Sequence, residues 1–287
     1  MVTAYQVFAS PAPYFILGEK PTGSRTGGVK SLPRLALWSL SLLMSLAAVA
    51  ADEPTEGKVS AAKKGFGLGE RHGRDGHHLD LLKVGWYYNW GSQTKCGSHA
   101  QFVPMMFSLK TTPPSRSSNE IILGYNEPDN SKQSDLSVKD ALSNWSNVTS
   151  KGKTVVSPAM AGNPLTKDWL KDFLKEKPKV DAIAVHWYKG ADAAKFIKDL
   201  EEIHAHFKKP LWITEFAPQT AESSKAEPDK FTQAQVKAFI ATTTEFMEKT
   251  SWVHRYAWHD PHVGTSALFT PKGELTSTGK AYAAAGK

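Results

Sequence analysis

From Lys64 onward the chain alternates short apolar runs with polar loops and amphipathic stretches. The runs Gly65–Gly69, Val84–Trp90, Phe102–Phe107, Ile121–Tyr125, Thr154–Pro158, Ala182–Tyr188, Leu211–Phe216 and Arg255–His259 have the length and the β-branched or aromatic content of strands. Between them Val138–Thr149, Lys167–Glu176, Ala191–Phe207 and Gln233–Lys249 carry the helical period. In the third of these, Phe196, Leu200, Ile203 and Phe207 recur at i, i+4, i+7 and i+11, one face of a helix. Strands that are apolar almost throughout, separated by helices, predict a parallel sheet covered on its outer face. Eight such repeats in roughly 220 residues predict an α/β fold, a compact (β/α)8 TIM-type barrel rather than an open sheet. Connections before the fourth strand, such as Ser108–Asn119 with Pro113-Pro114, are too short or too polar for full helices. Some barrel helices are therefore expected to be reduced or missing.

The first 64 residues read differently. Residues 1–30 are rich in Pro, Gly and Ser and have no periodicity, which predicts a disordered extension. Lys30 and Arg34 then precede the apolar run Leu35–Ala50, which ends in the small residues Ala48 and Ala50. That is the pattern of a secretory signal, although the lead-in is long and the run approaches the length needed to span a bilayer. Export with cleavage is the preferred reading, and an uncleaved anchor through residues 35–51 is the alternative. The expected organisation is an extension plus signal or anchor (1–50), a linker (51–64) and a catalytic barrel (65–287), secreted or held at the cell wall. The tripeptides Asn144-Trp145-Ser146 and Asn147-Val148-Thr149 are glycosylation sequons on a predicted exposed helix. Cys96 is the only cysteine, so an intramolecular disulfide is impossible. Of the formal charge of +7, residues 1–50 contribute +3 and the rest +4. Dispersed charge of that size, with no basic stripe, argues against nucleic acid as a partner. A monomer is expected.

The chemistry lies at the strand ends. The fourth strand, Ile121-Ile122-Leu123-Gly124-Tyr125, runs into Asn126-Glu127-Pro128-Asp129, and Pro128 must stop it. The second strand ends Trp86-Tyr87-Tyr88-Asn89-Trp90, the sixth His186-Trp187-Tyr188, the seventh Thr214-Glu215-Phe216, and the eighth Tyr256-Ala257-Trp258-His259-Asp260. In a barrel all these ends open onto one face, so Glu127 and Glu215 converge among aromatic rings. A carboxylate pair is what glycoside hydrolysis needs, one group to protonate the leaving oxygen and the other to attack or to activate water. The rings offer flat faces to sugars and polar tips to hydroxyls.

These segments, together with Phe102-Val-Pro-Met105, Ser157-Pro-Ala159, Ala184-Val-His-Trp-Tyr188 and Trp212-Ile-Thr-Glu-Phe-Ala217, resemble glycoside hydrolase family 128 from about Lys64 to Gly279. The resemblance implies a β-1,3-glucanase of the retaining clan, with Glu127 as general acid/base and Glu215 as nucleophile. By the same resemblance Asn126 contacts the sugar 2-hydroxyl, and His186 and Tyr188 orient Glu215 or bind substrate. Trp258 forms a stacking platform, and Trp86, Tyr88, Asn89 and Trp90 belong to the cleft wall. It implies a β-1,3-glucan substrate and no metal or organic cofactor. His72 and His77 follow the first strand and are candidates to line the cleft, whereas His204 and His206 read as helix surface. No zinc spacing, phosphate loop or serine elbow is present. Two other readings stay open: a non-catalytic glucan-binding protein of the same fold, and a clan relative acting on another β-linked glycan.

Overall fold

The computed structural model describes residues 62–115, 119–219 and 227–286. The predicted extension, the signal or anchor segment, and the linker as far as residue 61 lie outside these residues. Eight strands follow one another as β1 Lys64–Gly67, β2 Trp86–Tyr88, β3 Gln101–Phe102, β4 Asn119–Leu123, β5 Gly152–Val156, β6 Ile183–Trp187, β7 Leu211–Phe216 and β8 Val253–Trp258. All their pairings are parallel. One arc runs β3-β2-β1-β8-β7-β6 and a second pairs β4 with β5. Single parallel bridges, Met105 to Leu123 and Val156 to Ala182, join the arcs at both ends. The ring thus closes in chain order, as the strand count predicted.

The helices are α1 Gly76–Leu82, α2 Val138–Ser143, α3 Ser146–Thr149, α4 Trp169–Lys175, α5 Ala193–Phe207, α6 Gln233–Lys249 and α7 Ser277–Ala284. Among the described residues none lies between β2 and β3 or between β3 and β4, so the helical shell is reduced where the connections are short. Two helices escaped the pattern. The glycines and histidines around α1 hide the pair Leu79 and Leu82, and α7 is too rich in small residues to show a stripe. Asp75 caps α1, accepting from the His77 amide at 3.1 Å while its own amide donates to His78 Nδ1 at 3.2 Å. The helix predicted over Val138–Thr149 is broken at Asn144-Trp145. There the Asn144 amide bonds back to the Asp140 carbonyl, and the Trp145 indole turns inward to the Lys179 carbonyl. Among the described residues no helix is long and apolar enough to cross a membrane.

The apolar residues divide by strand face. Phe66, Ile122, Ile183, Val185, Ile213, Tyr256 and Trp258 point outward into the layer under the helices. Trp86, Val103, Met105, Leu123, Ala182, Ala184, Trp212 and Ala257 fill the barrel interior. Large indoles facing alanines is how a narrow barrel fills itself. Arg255 completes the floor, its guanidinium 5.5 Å from the Trp86 ring and 4.8 Å from the Trp212 ring, donating to Gln101 Oε1 at 2.7 Å. Burial pushes its pKa down to about 10, leaving it charged at neutral pH.

The Trp86 indole lies across β1 so closely that a Cβ at Gly65 would stand 2.3 Å from it. Trp86 is fully buried and cannot yield. Gly65→Ala should therefore cost about 1–3 kcal/mol through overpacking. Gly97→Ala, where a Cβ meets nothing within 4 Å, should be close to neutral. Equal denaturant midpoints for the two variants would contradict this packing account.

Candidate active site

Glu127 is presented by the end of β4. Ile121 and Leu123 face the interior and Ile122 faces the helices, but Tyr125 also faces the helices, three residues after Ile122, so the alternation breaks at Gly124 just before the site. Beyond Gly124 the chain bridges to Ala159, and Glu127 takes a left-handed backbone with φ 44°. Its amide donates to the Ala159 carbonyl at 2.8 Å and its carbonyl accepts from the Asn130 amide at 3.0 Å. These bonds hold a conformation that a glutamate would otherwise avoid. Pro128 ends the strand, and Asp129 braces the next loop by accepting from the Ala161 amide at 2.9 Å and pairing with Lys167 at 2.6 Å.

Glu215 reaches the same place by a register shift. Ile213 and Phe216 both face outward, three residues apart, which perfect alternation forbids. The pairing of β7 with β8 shifts between Ile213 and Phe216, and that of β6 with β7 shifts at Val185/His186. The extra residue turns Thr214 and Glu215 into the barrel. A β-bulge re-aiming a side chain beside an active site is a recurrent device.

One oxygen of each carboxylate and a ring nitrogen of His186 lie within 4.8 Å of one another. His186 Nδ1 is 2.9 Å from Glu127 Oε1 and 3.5 Å from Glu215 Oε2, so one imidazole edge serves both. Glu127 Oε2 accepts from Asn130 Nδ2 at 3.0 Å. Glu215 Oε1 accepts from the Trp90 indole at 2.7 Å and lies 3.4 Å from the Tyr88 hydroxyl, while Tyr188 donates a short hydrogen bond to Oε2. Burial alone would raise the Glu215 carboxyl. His186, His259 and the bonds from Tyr188 and Trp90 outweigh it and hold the group below the ordinary glutamate range. Burial likewise opposes charge on His186, but Glu215 and Glu127 overcome it and raise its pKa. Burial lowers the pKa of His259, with the Glu215 charge only partly offsetting the effect. Glu127, His186 and Glu215 have the donor atoms to touch a cation, but their oxygens already accept protein hydrogen bonds that suit proton transfer.

Six of the predicted residues therefore meet here, Glu127, Glu215, Tyr88, Trp90, His186 and Tyr188, while Asn126 adjoins Glu127 in the chain with its Nδ2 3.4 Å from Gln133 Oε1. Three do not. Trp86 lies two residues deeper on β2, its indole bonded to the Lys63 carbonyl at 2.9 Å, and forms the floor rather than the cleft wall. Trp258 faces outward, packed on Phe216 and Tyr282, and is fully buried, so it offers no platform to a sugar. Asn89 folds back into its own loop, bonding Gln93, Gly91 and Glu70. His77 sits on α1 beside Leu275 of the loop before α7, outside the cleft, and the His72 ring meets that of His262 at 4.6 Å with the planes tilted by 43°. Two residues of the site carried no assigned role in the sequence, Asn130 and His259. His259 completes the wall, its ring 5.8 Å from Trp90 and 5.4 Å from Tyr188, with Gln219 Nε2 3.4 Å from its Nδ1. Its place after Trp258, with inward and outward positions alternating along β8, was the available signal.

Comparison with known proteins matches this fold. The profile of the glycosyl hydrolase catalytic core covers residues 66–282. Alkali-sensitive linkage protein 1 of Schizosaccharomyces pombe is 26% identical over 217 residues, 69% of this chain and 40% of that longer protein. A family 128 endo-β-1,3-glucanase from Amycolatopsis mediterranei, solved with laminaritriose and laminaribiose, superposes with a TM-score of 0.65 at 26% identity, covering 74% of this chain and 94% of its own. An oligosaccharide-binding family 128 protein from Trichoderma gamsii shares the fold, with a TM-score of 0.61 at 23% identity over 77% of this chain and 92% of its own. With its closed barrel, its glutamates at the ends of β4 and β7 and a profile match across almost all of the described residues, the chain belongs to the glycosyl hydrolase catalytic core family, within glycoside hydrolase family 128.

Proposed function

We propose that the protein cleaves β-1,3-glucan with net retention, by double displacement. The observation that carries this reading is the closeness of Glu127 and Glu215, within 4.8 Å through one oxygen each. Retaining glycosidases need about 5–5.5 Å between carboxyl groups, whereas inverting ones leave about 6.5–9.5 Å for a water. The substrate class follows the family and the laminari-oligosaccharides bound by the Amycolatopsis relative.

The two glutamates stand in environments that favour opposite roles. Glu215 is held ionised by Trp90, Tyr188 and two histidines, and attacks the anomeric carbon. Glu127 gives its proton to the departing glycosidic oxygen and afterwards takes one from the incoming water. His186, bonded to Glu127 and close to Glu215, keeps both carboxylates in place while charge moves between them. Asn126 adjoins Glu127 in the chain, and its role as a contact for a sugar hydroxyl rests on the resemblance to family 128. A purely binding role is less well supported, because gripping a glucan does not require two buried carboxylates sharing one histidine.

Glu127→Gln and Glu215→Gln should each remove most laminarin hydrolysis while the thermal transition stays intact. The roles separate with an aryl β-glucan oligosaccharide whose leaving group needs no protonation. Glu127→Ala should still release the aryl alcohol from it in a first-turnover burst, and Glu215→Ala should not. Undiminished laminarin hydrolysis by either Gln variant contradicts the assignment, and tight glucan binding by the wild type without new reducing ends points to the binding reading.

The electrostatics predict a pH effect. The acid limb of kcat/KM follows ionisation of the nucleophile, and the Tyr188 hydroxyl stabilises the ionised form. Removing it must raise the Glu215 pKa. Tyr188→Phe should therefore move the acid limb to higher pH, because it removes a hydrogen bond to the charged form. An unmoved limb would show that Tyr188 does not act on Glu215.

In this reading the substrate is an extracellular or wall polymer and residues 35–50 direct export. Mass spectrometry of the mature protein should find its N-terminus near Ala51 in the culture fluid. An intact N-terminus in the membrane pellet supports the anchor instead.

A further inference from the structure

Glu70 begins the turn Glu70–His72 that follows β1, and nothing in the mechanism above uses it. Its Oε1 accepts from Asn89 Nδ2 at 3.1 Å and takes a short hydrogen bond from the Thr94 hydroxyl. Both partners are themselves fixed. The other hydrogen of the Asn89 amide goes to the Gln93 carbonyl at 2.8 Å, and Asn89 Oδ1 accepts from the Gly91 amide at 2.9 Å. Thr94 Oγ1 accepts from the Cys96 amide at 2.9 Å and lies 3.2 Å from the Tyr87 hydroxyl. One carboxylate oxygen thus gathers both ends of the loop from Asn89 to Thr94.

Trp90 sits inside that loop in a left-handed backbone, φ 59°, a region that a bulky side chain avoids unless its surroundings impose it. From there its indole N–H reaches Glu215 Oε1 at 2.7 Å. The ring meets Tyr88 at 5.0 Å and His259 at 5.8 Å, and a Cβ at Gly67 would come within 2.9 Å of it. These contacts bound the ring on its sides. They do not set the backbone twist that aims the N–H.

We infer that Glu70 is a positioning residue for the nucleophile: by clamping the loop from Asn89 to Thr94 it holds Trp90 in the left-handed backbone from which the indole donates to Glu215. The inference rests on Glu215 as nucleophile for its kinetic consequence, but its structural content stands apart from catalysis. A second consequence is coupling. Glu70 and Trp90 act on Glu215 along one path, so their effects cannot add.

The direct test is a 15N-tryptophan spectrum across the pH range, with the Trp90 indole resonance assigned by its absence in Trp90→Phe. In the wild type that resonance should lie at a hydrogen-bonded position and titrate with Glu215. In Glu70→Ala it should move toward a free indole and lose the titration. Glu70→Gln, whose amide oxygen can still accept both bonds, should recover most of the wild-type position. Thr94→Val, which removes one of the two bonds, should fall between them, so the inference remains testable if Glu70→Ala folds poorly. In kinetics Glu70→Ala should lower kcat on laminarin about tenfold with a smaller change in KM, raise the acid limb as Trp90→Phe does, and change nothing further in the Trp90→Phe background. A Trp90 resonance that keeps its position and titration in Glu70→Ala overturns the inference, as do multiplying kinetic effects in the double variant. If no glucan is hydrolysed by the wild type, the functional reading fails while the spectrum still decides the clamp.

Discussion

The constraint on which the site depends is that two carboxylates share a desolvated space with one imidazole between them. With one oxygen of each within 4.8 Å of the other and an effective dielectric of about 20, two negative charges repel by at least about 3 kcal/mol. Leaving water costs each ion several kcal/mol more. The protein meets this with directed hydrogen bonds rather than with a buried cation of fixed charge. Glu215 has an indole, a phenol and His186 Nδ1 at 3.5 Å, and Glu127 has the same Nδ1 at 2.9 Å and an amide. In the proposed mechanism, the asymmetry in number and kind of donors gives two identical groups different work.

Holding that asymmetry requires backbone that regular strands do not supply. Glu215 reaches the interior only because β7 carries an extra residue, and Glu127 and Trp90 occupy left-handed conformations at the ends of β4 and β2. Each departure is tied down by bonds to a neighbouring element: Ala159 to Glu127, Glu70 to the Trp90 loop, the bulge to the shifted registers on both sides. Beneath them the floor is rigid, with Trp86, Trp212 and Arg255 packed against alanines and against a glycine that admits nothing larger. The irregular mouth rests on an ordered base. This is the division of labour by which barrels separate stability from chemistry.

What could be read from the residues, and what could not, follows the same division. The alternation of apolar runs exposed all eight strands, and Asn126-Glu127-Pro128 with Thr214-Glu215-Phe216 exposed the two carboxylates. The side a ring faces is set by register, and register is where the reading failed. Trp86 and Trp258 looked like cleft aromatics because they stand at strand ends in the chain. Two residues of depth buried the first in the floor, and strict alternation along β8 turned the second toward Phe216 and Tyr282. Asn89 was misplaced for a related reason, since a polar residue beside a cleft tryptophan looks like a ligand group until its loop closes on Glu70. Helix α1 was missed because its cap is made by Asp75 with a histidine three residues on, where a glutamate or glutamine is the familiar signal.

The central claim is that Glu215 attacks carbon and Glu127 handles the proton, across a gap too narrow for an activated water. The product's first configuration reports this directly. Proton NMR of laminarin oligosaccharide cleavage, recorded before mutarotation, should show the new reducing end as the β-anomer. An α-anomer at the earliest times would contradict the account.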